Sequence, residues 1–244
     1  MKKYELTDET MTVDGVTYHR IRACKDFDVQ GYHVKAGDLG GYVESERNID
    51  QDGNAWVDNN AMVVGNARVR DDAMVVGNAR VRDDAVVGGN AVVVGNARVG
   101  SNAVVIGNAV INGLARVRGN AIIIGNAIII GNAWVGGNAE VGGNSRICGN
   151  AVVIGSARVG DHAEVNKPDH IIVIGPIGSR NDYTTFCRSN DNDIIVKCGC
   201  FNGNISEFLK KVNETHGYNK YAAEYRAAAE LAKIHIDLSE GETE

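Results

Sequence analysis

Aromatic residues make up only 6% of the 244 residues, and the chain has two prolines and five cysteines. So few bulky side chains cannot fill a globular interior of this size, so something smaller must pack it. No run of eighteen or more uninterrupted apolar residues occurs, and the opening residues MKKYELTDET carry no apolar stretch. The expectation is a cytoplasmic protein with neither a membrane span nor a signal peptide, and no membrane partner. Cys24, Cys148, Cys187, Cys198 and Cys200 are odd in number and unevenly spaced, so they outline neither a disulfide framework nor a paired zinc-ligand pattern. Reduced thiols and no metal site are expected. The net charge is -6, and residues 53–165 hold nine arginines against eight acidic residues, a poor balance for gripping duplex nucleic acid. P-loop, dinucleotide and nucleophile-triad motifs are missing as well.

What the chain does have is a repeat. Alanine stands at position 55 and at every sixth residue to Ala163, with Ser145 the one exception, making nineteen hexads without an insertion. Two residues after each of these positions comes Val or Ile. Alternation within a short strand puts the small and the β-branched residue on one face, pointing inward, and the residue between them outward. Asn or Asp precedes the alanine in sixteen of the nineteen hexads, usually after Gly, as at Gly65-Asn66 and Gly125-Asn126. Residues that tolerate left-handed backbone and bond locally mark corners. Three hexads per turn predict a coil of 18 residues, about six coils in all, stacked at ~4.8 Å.

Units such as Val64-Gly65-Asn66-Ala67-Arg68-Val69 resemble the hexapeptide repeat of left-handed parallel β-helix proteins, many of them acyltransferases. The resemblance covers residues 53–166 and implies the handedness and the triangular section of an all-β solenoid. The flanks, in particular Gly178-Ser179-Arg180-Asn181-Asp182-Tyr183 and Cys198-Gly199-Cys200-Phe201, resemble hexapeptide-repeat proteins of phage and prophage type, which implies a viral or prophage origin and brings no established activity.

A β-helix exposes unpaired backbone at each end and needs caps. Residues 1–52 are expected to form a small β cap, with a hairpin turning at Asp14-Gly15, and residues 167–244 an α+β cap. In the latter, Ile171–Ile174, Tyr183–Arg188 and Ile194–Cys198 read as strands. A helix follows with a capping box at Asn204 and Glu207 and an apolar stripe of Ile205, Phe208, Leu209 and Val212, and then a second helix over Lys220–His235.

An 18-residue coil sorts the outward side chains into three faces. One carries Arg80, Arg82, Arg98, Arg116 and Arg118, bounded by Met62 and Val64 on one side and Trp134 on the other. Stacked arginines repel unless carboxylates or an anion lie between them. Two readings stand: a solvated face balanced by Asp71, Asp72, Asp83 and Asp84, or a site for phosphate or nucleotide groups with Trp134 as a stacking surface. The other two faces are apolar in their middle coils, one with Val76, Val92, Val94, Ile128 and Ile130 and the next with Val104, Ile106, Ile122 and Ile124. They call for a cover: either a homo-oligomer, with family resemblance favouring a trimer, or C-terminal helices folded back along one face.

By resemblance, an acyltransferase of this fold would use a histidine base near a subunit cleft, a loop projecting from the coils, and acetyl-CoA or another acyl-CoA. No His lies between residues 34 and 161, and no loop interrupts the hexads. His162, at a corner, is the lone catalytic candidate, set against a plain role as a corner residue under the cap. Cys198 and Cys200 read as small buried hydrophobes. Arg180 and Asp182 read either as an ion pair bracing their loop or as ligand contacts. The expected function is non-catalytic binding or assembly without a cofactor, in which a phage-encoded scaffold binds or sequesters an anionic small molecule or a host protein. The runner-up is an acyl-CoA-dependent acyltransferase, and the third reading a structural component of a particle.

Overall fold

The computed structural model describes residues 2–13 and 15–239. Strands β1 (Tyr4–Val13) and β2 (Val16–Ala23) form an antiparallel hairpin, and β3 (Phe27–Val29) and β4 (Tyr32–Val34) a second, smaller one. Asp14, half of the expected turn, lies outside the described residues, while Gly15 has φ 80°. Strand β5 (Leu39–Val43) leads into nineteen two-residue strands, β6 (Trp56–Val57) to β24 (Glu164–Val165). These pair in parallel at a separation of 18 residues, for example Arg80 with Arg98, Val104 with Ile122 and Val110 with Ile128. Three sheets result, one per face, so the predicted coil length holds.

The stack is longer than the hexads alone: β5 pairs in parallel with Met62–Val63, and Ile49 bridges to Val69, giving about seven coils. The pairing Tyr42 with Met62 spans 20 residues, which is why a six-residue period misses this coil. On the arginine face the sheet continues through β5 into the β1–β2 hairpin, nine strands in all.

The inward columns are Ala and Val or Ile, almost all fully buried, and they form one continuous core from Tyr4 to Cys187. Stacking replaces aromatic volume, because each coil contributes two small knobs per face and its neighbours close over them at strand spacing. The first coil is covered by the larger side chains of the N-terminal cap, where Phe27 meets Trp56 edge-on with centroids 5.5 Å apart.

At the corners, the left-handed residue is the one two before alanine: Gly107 has φ 81°, and Asp71, Asp83 and Ser101 adopt the same region. The Asn that follows does not bond its own turn as expected. It joins a ladder to the Asn one coil on, as in Asn90 to Asn108 to Asn126, with Nδ2 to Oδ1 distances of 2.9 Å. Each amide both donates and accepts along such a ladder, a geometry that identical stacked corners make possible.

Ser145 breaks the alanine column. It is fully buried, and its hydroxyl finds no partner among the described residues. A buried unpaired hydroxyl costs about 1 to 3 kcal/mol. Ser145→Ala is therefore expected to raise the thermal unfolding midpoint by the equivalent of about 1 kcal/mol, and an unchanged or lower midpoint would contradict it.

The C-terminal cap is an antiparallel sheet of β25 (Ile171–Ile177), β26 (Asp182–Arg188), β27 (Ile194–Cys198) and β28 (Phe201–Asn204), carrying α1 (Ile205–His216) and α2 (Lys220–His235). The capping box is present: Asn204 Oδ1 accepts from Glu207 N at 2.9 Å and Glu207 Oε2 from Asn204 N at 3.0 Å. Strand β28, which the sequence reading missed, is a short polar segment whose strand character comes only from pairing with β27. The cap closes the last coil through β26: Thr185 Oγ1 accepts from Arg158 N at 2.9 Å, and Ser189 bridges to Ala163. The helices pack on the cap sheet and on each other around a second core. Among the described residues no helix is long and apolar enough to cross a membrane.

Candidate functional site: the arginine face

Arg80, Arg98 and Arg116 occupy consecutive rungs in register, and Trp134 stands on the next. Arg82 and Arg118 lie two residues further on, just past the ends of these two-residue strands, with Gly100 between them in the intervening coil. The corner aspartates are largely spoken for. Asp71 Oδ2 accepts from Gly89 N at 2.8 Å, Asp72 Oδ1 from Asn54 N at 3.2 Å, and Asp84 Oδ1 from Asn66 Nδ2 at 2.9 Å. Asp83 accepts from Ser101 N at 2.8 Å and reaches the face once, 3.7 Å from Arg82 Nε. Among the described residues, Arg80, Arg98, Arg116 and Arg118 have no carboxylate within 4.0 Å. Burial, followed by the charges of Arg82, Arg116 and Arg98, holds Arg118 below the usual arginine range. Its neighbours are thus mostly cations.

Two walls shape this charge. At the N-terminal end, Val13 and Tyr18 of the β1–β2 hairpin stand over Met62 and Val64 and, with Arg80, Arg82 and Arg98, enclose a cleft of about 140 Å³. That is the room of a few waters or of one oxyanion the size of phosphate. At the other end the indole of Trp134 is 46% exposed and rests beside Gly136, where a Cβ would stand only 3.0 Å from Nε1. The missing side chain lets the ring lie along the face and offer a surface for stacking.

The remaining candidates scatter. Asp182 does not pair with Arg180 but with Arg158, at 3.3 Å, tying the cap to the coils. Arg180 turns the other way, toward Cys200. His162 is exposed at its corner, with φ 66°, and its carbonyl accepts from Asn190 N at 2.9 Å. It lines neither the arginine cleft nor the clefts beside the cap. Cys198 ends β27 and Cys200 sits in the turn beyond, so the two do not share one strand. Cys187 is the buried hydrophobe, its thiol pushed up to about 12 by burial, whereas Cys200 is exposed.

On the apolar faces Val76, Val92, Val94, Val104, Ile106, Ile128 and Ile130 are half-buried, shielded by the rungs above and below, while Ile122 and Ile124 are 38% and 42% exposed. The cap overhangs only the far end of that last face, where Lys197 and Asn202 join Ile124, Glu140 and Arg158 around a cleft of about 230 Å³. The helices therefore do not supply the cover that the sequence called for.

The molecule is thus a capped three-sided parallel β-solenoid bearing a cationic face. No family model matches the chain, and no curated protein does.

Proposed function

We propose that the protein is a non-catalytic binding scaffold whose arginine face takes a compact polyanion of the oligophosphate or nucleotide class. One observation carries this: four guanidiniums, Arg80, Arg98, Arg116 and Arg118, share a rigid face and lack carboxylate partners among the described residues. Guanidinium forks at rung spacing suit successive phosphates, and the backbone beneath them holds that spacing before any ligand arrives, which lowers the cost of binding. The left-handed sense of the coil and a phage or prophage setting belong to the same proposal and rest on the resemblance of the hexads and flanks. Calorimetric titration with inorganic triphosphate tests it. Saturable binding that weakens steeply as salt rises is expected, and no heat at low salt would overturn it.

A second reading, assembly with further copies of the chain, is favoured by the uncovered Ile122 and Ile124. Ile122→Asp combined with Ile124→Asp is expected to lower the mass seen by light scattering; a wild-type monomer would dismiss this reading.

A further inference from the structure

The C-terminal cap contains a cavity of about 510 Å³, larger than the arginine cleft and separate from it. Phe201, Phe208, Tyr225 and Val212 form its walls, with Phe208 and Val212 buried beneath it. The rings are mutually braced: Phe201 and Phe208 have centroids 5.5 Å apart, and Phe208 and Tyr225 meet edge-on at 5.7 Å. The rim is polar and positive. Arg180 comes from the β25–β26 turn, Lys211, Thr215 and His216 from α1, and no carboxylate among the described residues lines the space.

Two glycines show that this arrangement is built into the backbone. Gly178 has φ 69°, and a Cβ there would stand 1.9 Å from Tyr225 Oη, so only glycine lets the phenol sit under the turn. Gly199 has φ 57°, a left-handed turn position that favours glycine, and lies beside the Arg180 guanidinium where it crosses the Cys198–Cys200 turn. The Tyr225 hydroxyl is pushed up to about 12, by burial first and then by Cys198. The volume falls within the usual range for small-molecule sites, about 300–1,000 Å³, as does the combination of apolar walls with a few convergent polar groups.

We infer that this cavity binds a small aromatic anion, its ring against Phe201, Phe208 and Tyr225 and its carboxylate or phosphate at Arg180 and Lys211. Flat aromatic walls select a flat body. Arg180, with no carboxylate within 4.0 Å among the described residues, selects an anionic head, and its planar fork suits two oxygens better than one; Lys211, already 3.6 Å from Glu214, adds less.

The test uses the full chain and two probes of matched shape, 2-naphthoate and 2-naphthalenemethanol, followed by ligand-observed NMR. Saturable binding of the acid is expected, with the neutral alcohol about tenfold or more weaker, as befits a charge-assisted contact. Arg180→Gln lies on an exposed turn and should bring the two probes to similar affinity. Thr215→Trp, at the exposed mouth, should block both. Equal affinity of acid and alcohol for the wild type, or an Arg180→Gln protein that still discriminates, would overturn the anionic head. Undiminished binding by Thr215→Trp would remove the probe from this cavity and overturn the inference altogether. Neither outcome bears on triphosphate binding by the solenoid, which the same preparations can report separately.

Discussion

Ala121→Leu is expected to disrupt the middle of the solenoid, lowering the thermal midpoint by far more than any surface change. Ala121 is fully buried, and its carbonyl accepts from Val104 N at 2.9 Å while Ile122 N donates to Ala139 O at 2.9 Å. Backbone bonds above and below therefore pin the rung spacing, and the coil cannot swell to admit a larger side chain without breaking both. Overpacking ordinarily costs about 1–3 kcal/mol; here the alanine column leaves no neighbouring rotamer to move, so a cost above about 3 kcal/mol is expected. The opposite change, Ile123→Ala, removes volume from the adjacent inward position, where Ile123 is fully buried, and should cost about 2–5 kcal/mol. Each rung packs only on its neighbours, so a break at this point separates the two ends. Limited proteolysis should accordingly cut Ala121→Leu within the repeats, near residues 113–131, sites that stay resistant in the wild type. A midpoint within a degree or two of wild type would show that the coils flex far more than their hydrogen bonding indicates.

The solenoid was legible because one local rule repeats: small, variable, β-branched, corner. With strand pairing separated by 18 residues across the hexads, a residue's face there follows from its number alone, so Arg80, Arg98, Arg116 and Trp134 line up by counting. What the period could not carry was contact between unlike segments. Strand β5 joins the stack at a 20-residue separation, and the cap sheet closes the last coil through Thr185 and Ser189, neither of which stands out in the chain. The Arg180–Asp182 pairing failed for the same reason: nearness in sequence says nothing of Arg158, 24 residues away and brought up by the last coil. The cap cavity was hidden further still. Its walls come from β28, α1 and α2, and a local signal survives only in Gly178 and Gly199, whose significance appears once Tyr225 and Arg180 are seen against them.

The arginine face makes the sharpest quantitative demand. Arg98→Glu with Arg116→Glu should weaken inorganic triphosphate binding by about 10²–10⁴-fold, taking about 1.5–3 kcal/mol for each charge-assisted hydrogen bond removed. Both side chains are exposed, so the fold should tolerate the change. Arg82→Gln provides the graded control: its guanidinium already faces Asp83 at 3.7 Å, so less of its charge is available to a ligand and the loss should be smaller. Equal losses at Arg82 and Arg98 would mean that Asp83 does not neutralise the face locally, and no loss in the double variant would leave only a solvated column of charge. Trp134 then separates a bare oligophosphate from a nucleotide. Stacking of a base on an aromatic side chain is worth about 1–3 kcal/mol. Trp134→Ala should therefore weaken adenosine triphosphate by about tenfold or more and leave triphosphate unaffected. If both ligands weaken together, the indole shapes the face without holding a base; if neither does, the ligand sits toward Val13 and Tyr18, at the opposite end of the arginine column.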